Sequence, residues 1–157
     1  KNMVFLGDCG TGKTHISAAI LREFSGNVKT YAYDQPIYSK IRYATVNEIS
    51  DEFHDAESFN SSKSKESVSR SYRDYDILVI DEVGRLINKF ESESDLLFRI
   101  IDARYQSGKS TILITNLDLD SLFELMNKAT VSRLTGFNKL MFFDTKNIND
   151  YRQGGAA

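Results

Sequence analysis

At 157 residues the chain is expected to form one globular domain, and 41% hydrophobic residues are enough for a core and too many for a disordered segment. No apolar run approaches the roughly 20 residues of a membrane helix, and a lone cysteine, which cannot form an intramolecular disulfide, points to a reducing, cytoplasmic setting. A net charge of -2 excludes a chain-wide basic footprint for nucleic acid, so any DNA contact must be a local patch.

The first expected element is an apolar strand, Asn2 to Leu6. A chain that opens on a core strand is expected to lack an N-terminal part. The strand runs into Gly7-Asp8-Cys9-Gly10-Thr11-Gly12-Lys13-Thr14, which fits G-x-x-x-x-G-K-[ST] in full and is followed by His15. Glycines let the backbone curl so that successive N–H groups point at phosphate oxygens. Lys13 has the reach for the β- and γ-phosphates, and the Thr14 hydroxyl suits Mg²⁺. Ile16, Ala19, Ile20 and Phe24 recur at helical spacing, with Gly26 as the stop. Strand, loop and helix in that order place a helix N-terminus at the phosphates. Gly7 through His15 are therefore the expected ATP/ADP contacts, with Cys9 read as loop filler and His15 as helix surface.

Val28 to Tyr33 and Ile41 to Val46 both read as strands, with Pro36 in the connection; they form either a hairpin or include an edge strand. Ile77-Leu78-Val79-Ile80 is an unbroken apolar run, the pattern of a strand buried on both faces in a parallel sheet. Asp81 at its carboxyl end is placed to hold Mg²⁺, and Glu82 to orient and deprotonate water. Paired acids favour hydrolysis over transfer to an acceptor. Glu93 to Gln106 carries a helical apolar stripe. Ser110 to Asn116 is a third apolar strand, whose terminal Asn116 is suited to the γ-phosphate and the lytic water. Leu119 to Asn127 and Ala129 to Leu134 read as short helices, and Leu140-Met141-Phe142-Phe143 as a final buried strand.

The ordered set GDCGTGKTHISAAI, ILVIDEVG, TILITNL, VSRL and NDYR resembles the AAA+ module of bacterial and phage replicative-helicase loaders of the DnaC/DnaI type. The IstB-type transposition helper ATPases are close behind. The resemblance spans Asn2 to about Arg152 and leaves 153–157 as a flexible tail. It implies an α/β, three-layer AAA+ P-loop fold around a central, mainly parallel five-stranded sheet. It also implies Asn116 as the γ-phosphate sensor and Arg133, in VSRL, as an arginine finger completing a neighbouring subunit's site, so that protomers self-assemble. The implied activity is ATP-driven loading of a replicative DNA helicase onto single-stranded DNA, the alternative being assistance to a transposase on duplex DNA. Two departures stand out. The Val28–Tyr43 region is longer than the loaders' usual single strand, and the N-terminal domain with which loaders bind the helicase is missing from this sequence.

Asn47 to Asp74 is where such ATPases insert a helix pair on the DNA side. Between Asn60 and Arg73, Lys63, Lys65, Arg70 and Arg73 face the one acid Glu66. Beside Tyr72 this patch suits a single strand by charge and stacking. The other reading is a solvated loop.

Overall fold

The computed structural model of the chain describes residues 2–26, 28–32, 35–58, 62–87, 91–136 and 140–145. In chain order the strands are β1 (Met3–Leu6), β2 (Val28–Ala32), β3 (Gln35–Tyr38), β4 (Ile41–Thr45), β5 (Ile77–Val83), β6 (Ser110–Thr115) and β7 (Met141–Asp144). The helices are α1 (Lys13–Ser25), α2 (Val46–Asp55), α3 (Lys65–Asp74), α4 (Glu93–Gln106), α5 (Leu119–Leu125) and α6 (Lys128–Thr135).

Five strands pair in the order β4-β5-β6-β1-β7, every pairing parallel. The period-2 alternation of each strand sorts its side chains into two cores. Val4, Leu6, Leu78, Ile80 and Leu113 join the side chains of α2 to α6, whereas Phe5, Val79, Ile112 and Ile114 meet Leu21 of α1. The result is three layers, α/β/α, as the AAA+ resemblance implies. On α4, Leu96, Leu97, Ile100 and Ile101 are buried, each worth about 1.5–3 kcal/mol relative to exposure. Local signals start the helices on that face. Thr45 and Glu48 form a reciprocal capping box at α2, and Ser64 and Ser67 do the same at α3.

Three expectations change. Of the two alternatives for the Val28–Val46 region the edge strand holds, since Ile41–Thr45 is one edge of the main sheet; what changes is that β2 and β3 form a separate antiparallel ribbon in which Pro36 pairs with Tyr31 rather than lying in a connection. The buried face of α1 is Lys13, Ser17 and Leu21, not the apolar stripe. Ile16 and Phe24 are 44% and 43% exposed, because Ser17 takes the close approach to the sheet and bonds back to the Lys13 carbonyl at 2.9 Å. The final strand is not buried. Among the described residues it pairs only with β1, and Met141, Phe142 and Phe143 are 36–43% exposed, as at an edge.

Candidate active site

Because the sheet is parallel, its strands end on one edge, where ligands of open α/β sheets bind. A cavity of about 750 Å³ lies there, lined by residues 9–16, Asp81, Glu82, Arg85 and the end of β6. β6 separates β1 from β5, which sets Asn116 between the phosphate loop and the acidic strand end.

Cys9, Gly10, Thr11, Gly12, Lys13, Thr14 and His15 all line this cavity. Gly10 and Gly12 adopt φ of 84° and 86°, which the tight curl requires and a side chain would resist. Gly12 caps α1 without a side chain, so the first-turn N–H groups of the helix face the loop. Gly7 and Asp8 lie behind, where their carbonyls accept from Lys13 Nζ at 2.7 and 2.6 Å. Lys13 is buried, and that burial lowers its pKa against the opposing pull of Cys9, Asp81 and Asp8. Thr11 is held from the far end of the chain: its Oγ1 lies 2.7 Å from Oγ1 of Thr145, which in turn donates to the Leu6 carbonyl at 2.8 Å.

Thr14 Oγ1 donates to Asp81 Oδ2 at 3.0 Å, and the Tyr43 hydroxyl donates to the same oxygen. Burial, then the bond to Asp81, pushes the Tyr43 phenol well above its ordinary pKa, so it remains a donor. Asp81 Oδ1 accepts from the Glu82 amide at 2.6 Å. A hydroxyl and a carboxylate converging beside Lys13 are the hard oxygen donors Mg²⁺ takes when phosphates and water complete its shell. Among the described residues no group of three or more His, Cys, Asp or Glu forms a closed metal site.

Glu82 is the single non-glycine residue with positive φ (59°) among those described, a conformation costing about 1–2 kcal/mol. It falls at a register shift between β5 and β6, between Ile80 and Val83, which leaves its carboxylate exposed at the cavity. The turn is braced from beneath. Buried Glu93 accepts from Gly84 N at 2.6 Å and Leu86 N at 3.2 Å, and Thr115 Oγ1 donates to the Val83 carbonyl at 2.7 Å. Gly84, at φ 92°, has no room for a Cβ, which would meet Leu117 at 2.6 Å. Asn116 Nδ2 points across the cavity to Cys9 Sγ at 3.3 Å.

Four residues of this site carry no motif: Tyr43, Arg85, Glu93 and Thr145. Tyr43 reaches Asp81 only because β4 and β5 are neighbours in register, Thr45 opposite Asp81.

Arg133 does not line the cavity. It lies on α6, ion-paired to Asp102 of α4, with its guanidinium 4.9 Å above the Phe98 ring. The basic patch is modified. Lys65 pairs with Glu57, Arg70 with Glu66 and Arg73 with Asp74. Glu57 and Asp74 thus join Glu66 as acids set against the patch. Tyr72 is not available to a base: it is 1% exposed, with its ring stacked against Phe53 in the core. Val68 and Tyr72, four residues apart, form the inward face of α3. Asn60, Asn149 to Arg152 and the 153–157 tail lie outside the described residues.

Residues 1–135 match the family model of the IstB-like ATP-binding proteins. The replicative helicase loader DnaC of Escherichia coli K12 is 28% identical over 139 residues, covering 88% of this chain and 52% of the loader. The ATP-binding protein of insertion sequence IS232 from Bacillus thuringiensis is 31% identical over 125 residues, 80% of this chain and 44% of that protein. A crystal structure of the DnaC helicase loader superposes with a TM-score of 0.68 at 20% identity, over 91% of this chain and 78% of that one. The chain thus spans about half the length of these curated relatives.

Proposed function

This chain belongs to the IstB-like ATP-binding protein family, and from that premise we propose that it is the ATPase module of a replicative-helicase loader. The observation that supports an active ATPase is the convergence of Lys13, Thr14, Asp81, Glu82 and Asn116 on one cavity. In this reading Lys13 and the loop amides bind the β- and γ-phosphates of ATP, and Thr14 and Asp81 hold Mg²⁺, which neutralises phosphate charge. Glu82 takes the proton of the attacking water, and Asn116 orients that water against the γ-phosphate. Arg133 acts across an interface in an assembled full-length protein. For that role it must leave Asp102, a partly exposed pair of the kind that stabilises by about 1 kcal/mol or less.

Single-stranded DNA is assigned to the exposed face of α3 and the turn before it, through Lys63, Lys65, Arg70 and Arg73. Their surface ion pairs contribute little individually, so exchange for phosphate oxygens is inexpensive. The helicase would be bound by a part of the full-length protein outside this sequence. The relatives named as DnaC loaders support this reading. The family match and the insertion-sequence relative favour a second, in which the same ATPase serves a transposase on duplex DNA. The deciding experiment uses the full-length protein with the replicative helicase and the transposase of its own organism. A loader gives ATP-dependent helicase loading on circular single-stranded DNA; transposase capture on duplex DNA without helicase loading would favour the second reading.

A further inference from the structure

Arg85 follows the acidic pair by three residues, and its amide bonds the Glu82 carbonyl at 3.0 Å, which sets it on the Glu82 side of the cavity. The main chain of its turn is pinned twice from α2, once at Arg85 and once at Ile87. The Arg85 carbonyl accepts from Asn47 Nδ2 at 3.1 Å, and Asn47 Oδ1 accepts from Ile87 N at 2.8 Å. The guanidinium is exposed, has no acid within ion-pair distance among the described residues, and reaches Cys9 Sγ at 3.7 Å. Its charge works against that of Lys13, so two cations face one space. Asn116 donates to the same sulfur. A thiol is a weak acceptor, whereas a phosphate oxygen meets an arginine fork with strong, charge-assisted bonds. Exchanging sulfur for phosphate would therefore cost Arg85 little and gain much.

We propose that Arg85 is a terminal-phosphate contact supplied by the same chain, one that makes this site discriminate nucleoside triphosphate from diphosphate. The inference rests on the nucleotide reading above. Lys13 and the loop amides hold the β-phosphate that ATP and ADP share and reach toward the γ-phosphate; Arg85, beside Glu82, adds a contact to the one that hydrolysis removes. A cation on the strand-end turn gives each protomer a contact that reports its own nucleotide, apart from any arginine a neighbour supplies.

The test is calorimetric titration of the chain and of Arg85→Ala with AMPPCP and with ADP, both in Mg²⁺. Loss of one charge-assisted fork should weaken AMPPCP by about 10- to 100-fold and ADP by less than about twofold. Arg85→Lys should recover part of the loss, since it restores charge but not the fork. The main-chain bonds of Arg85 survive either change, and an unchanged melting temperature checks this. Equal weakening of both nucleotides, or no weakening of either, would overturn the assignment while leaving the nucleotide reading intact. A parent chain that bound neither nucleotide would remove both.

Discussion

Thr14 Oγ1 lies 3.0 Å from Asp81 Oδ2, joining the start of α1 to the end of a strand two places away in the sheet. The same carboxylate oxygen accepts from Tyr43 on the sheet's edge strand. Three elements thus fix one oxygen, the kind of support that orients a metal-holding carboxylate.

Tyr43→Phe removes that support while keeping the ring. With AMPPCP present, the Mg²⁺ concentration for half-maximal binding should rise about 10-fold. ADP affinity measured in EDTA should stay within about twofold. Equal loss under both conditions would make Tyr43 a packing residue instead.

Glu82→Gln should leave AMPPCP affinity near the parent value and remove most turnover, because in the proposed mechanism the carboxylate acts on water and not on the bound nucleotide. The positive φ of position 82 belongs to the turn and is retained. Parent-like ATP hydrolysis in this variant, followed by phosphate release, would take the base role from Glu82.

Asp76 lies at the opposite end of the sheet and is expected to contribute to acid sensitivity. Burial alone would raise its pKa, but bonds from Lys109, Lys29 and the Lys40 amide bring it well below the carboxylate range. A folded pKa below the unfolded one stabilises above about pH 4, and that contribution is lost as pH falls through the folded value. Asp76→Asn should lower the urea midpoint at pH 7, with the gap to the parent narrowing under about pH 4. A constant gap between pH 2.5 and 7 would contradict this.

The local parts of the site were legible in the sequence. Gly7 to Thr14 needs no tertiary context to be recognised, and Ile77 to Glu82 announces a buried strand with acids at its end. The helix over Glu93 to Gln106 follows from its apolar stripe; the structure adds its Ser92 cap. What depends on neighbours was not legible. Tyr43 and Arg85 enter the site through strand order and turn geometry, and Glu93 looks like an ordinary first-turn acid although it braces the turn holding Glu82. An apolar run such as Met141 to Phe143 does not reveal whether a strand is central or at an edge. Tyr72 could have been read correctly, since Val68 and Tyr72 share an i, i+4 face that a basic helix turns inward.

Arg133 is held by Asp102 and Phe98 on the α4–α6 side, away from its own cavity. Arg133→Ala should therefore leave AMPPCP affinity within about twofold; under the proposed role across an interface it should also remove turnover in the full-length protein, since arginine fingers are worth about 10³–10⁵ in rate. Mixing it with Glu82→Gln should restore part of the activity, since some interfaces then join an intact Glu82 site to an intact Arg133. A mixture that stays inactive where the parent assembles would confine Arg133 to bracing α6 on α4.

In the proposed function, the crevice at the carboxyl edge of the sheet binds nucleotide through Lys13. Calorimetric titration of ADP and AMPPCP into this chain and into Lys13→Ala tests it most directly. The parent should bind both at one site per chain, and Lys13→Ala should lose both while keeping the parent's circular dichroism. A folded Lys13→Ala variant with the parent's affinity would mean that nucleotide does not bind through Lys13.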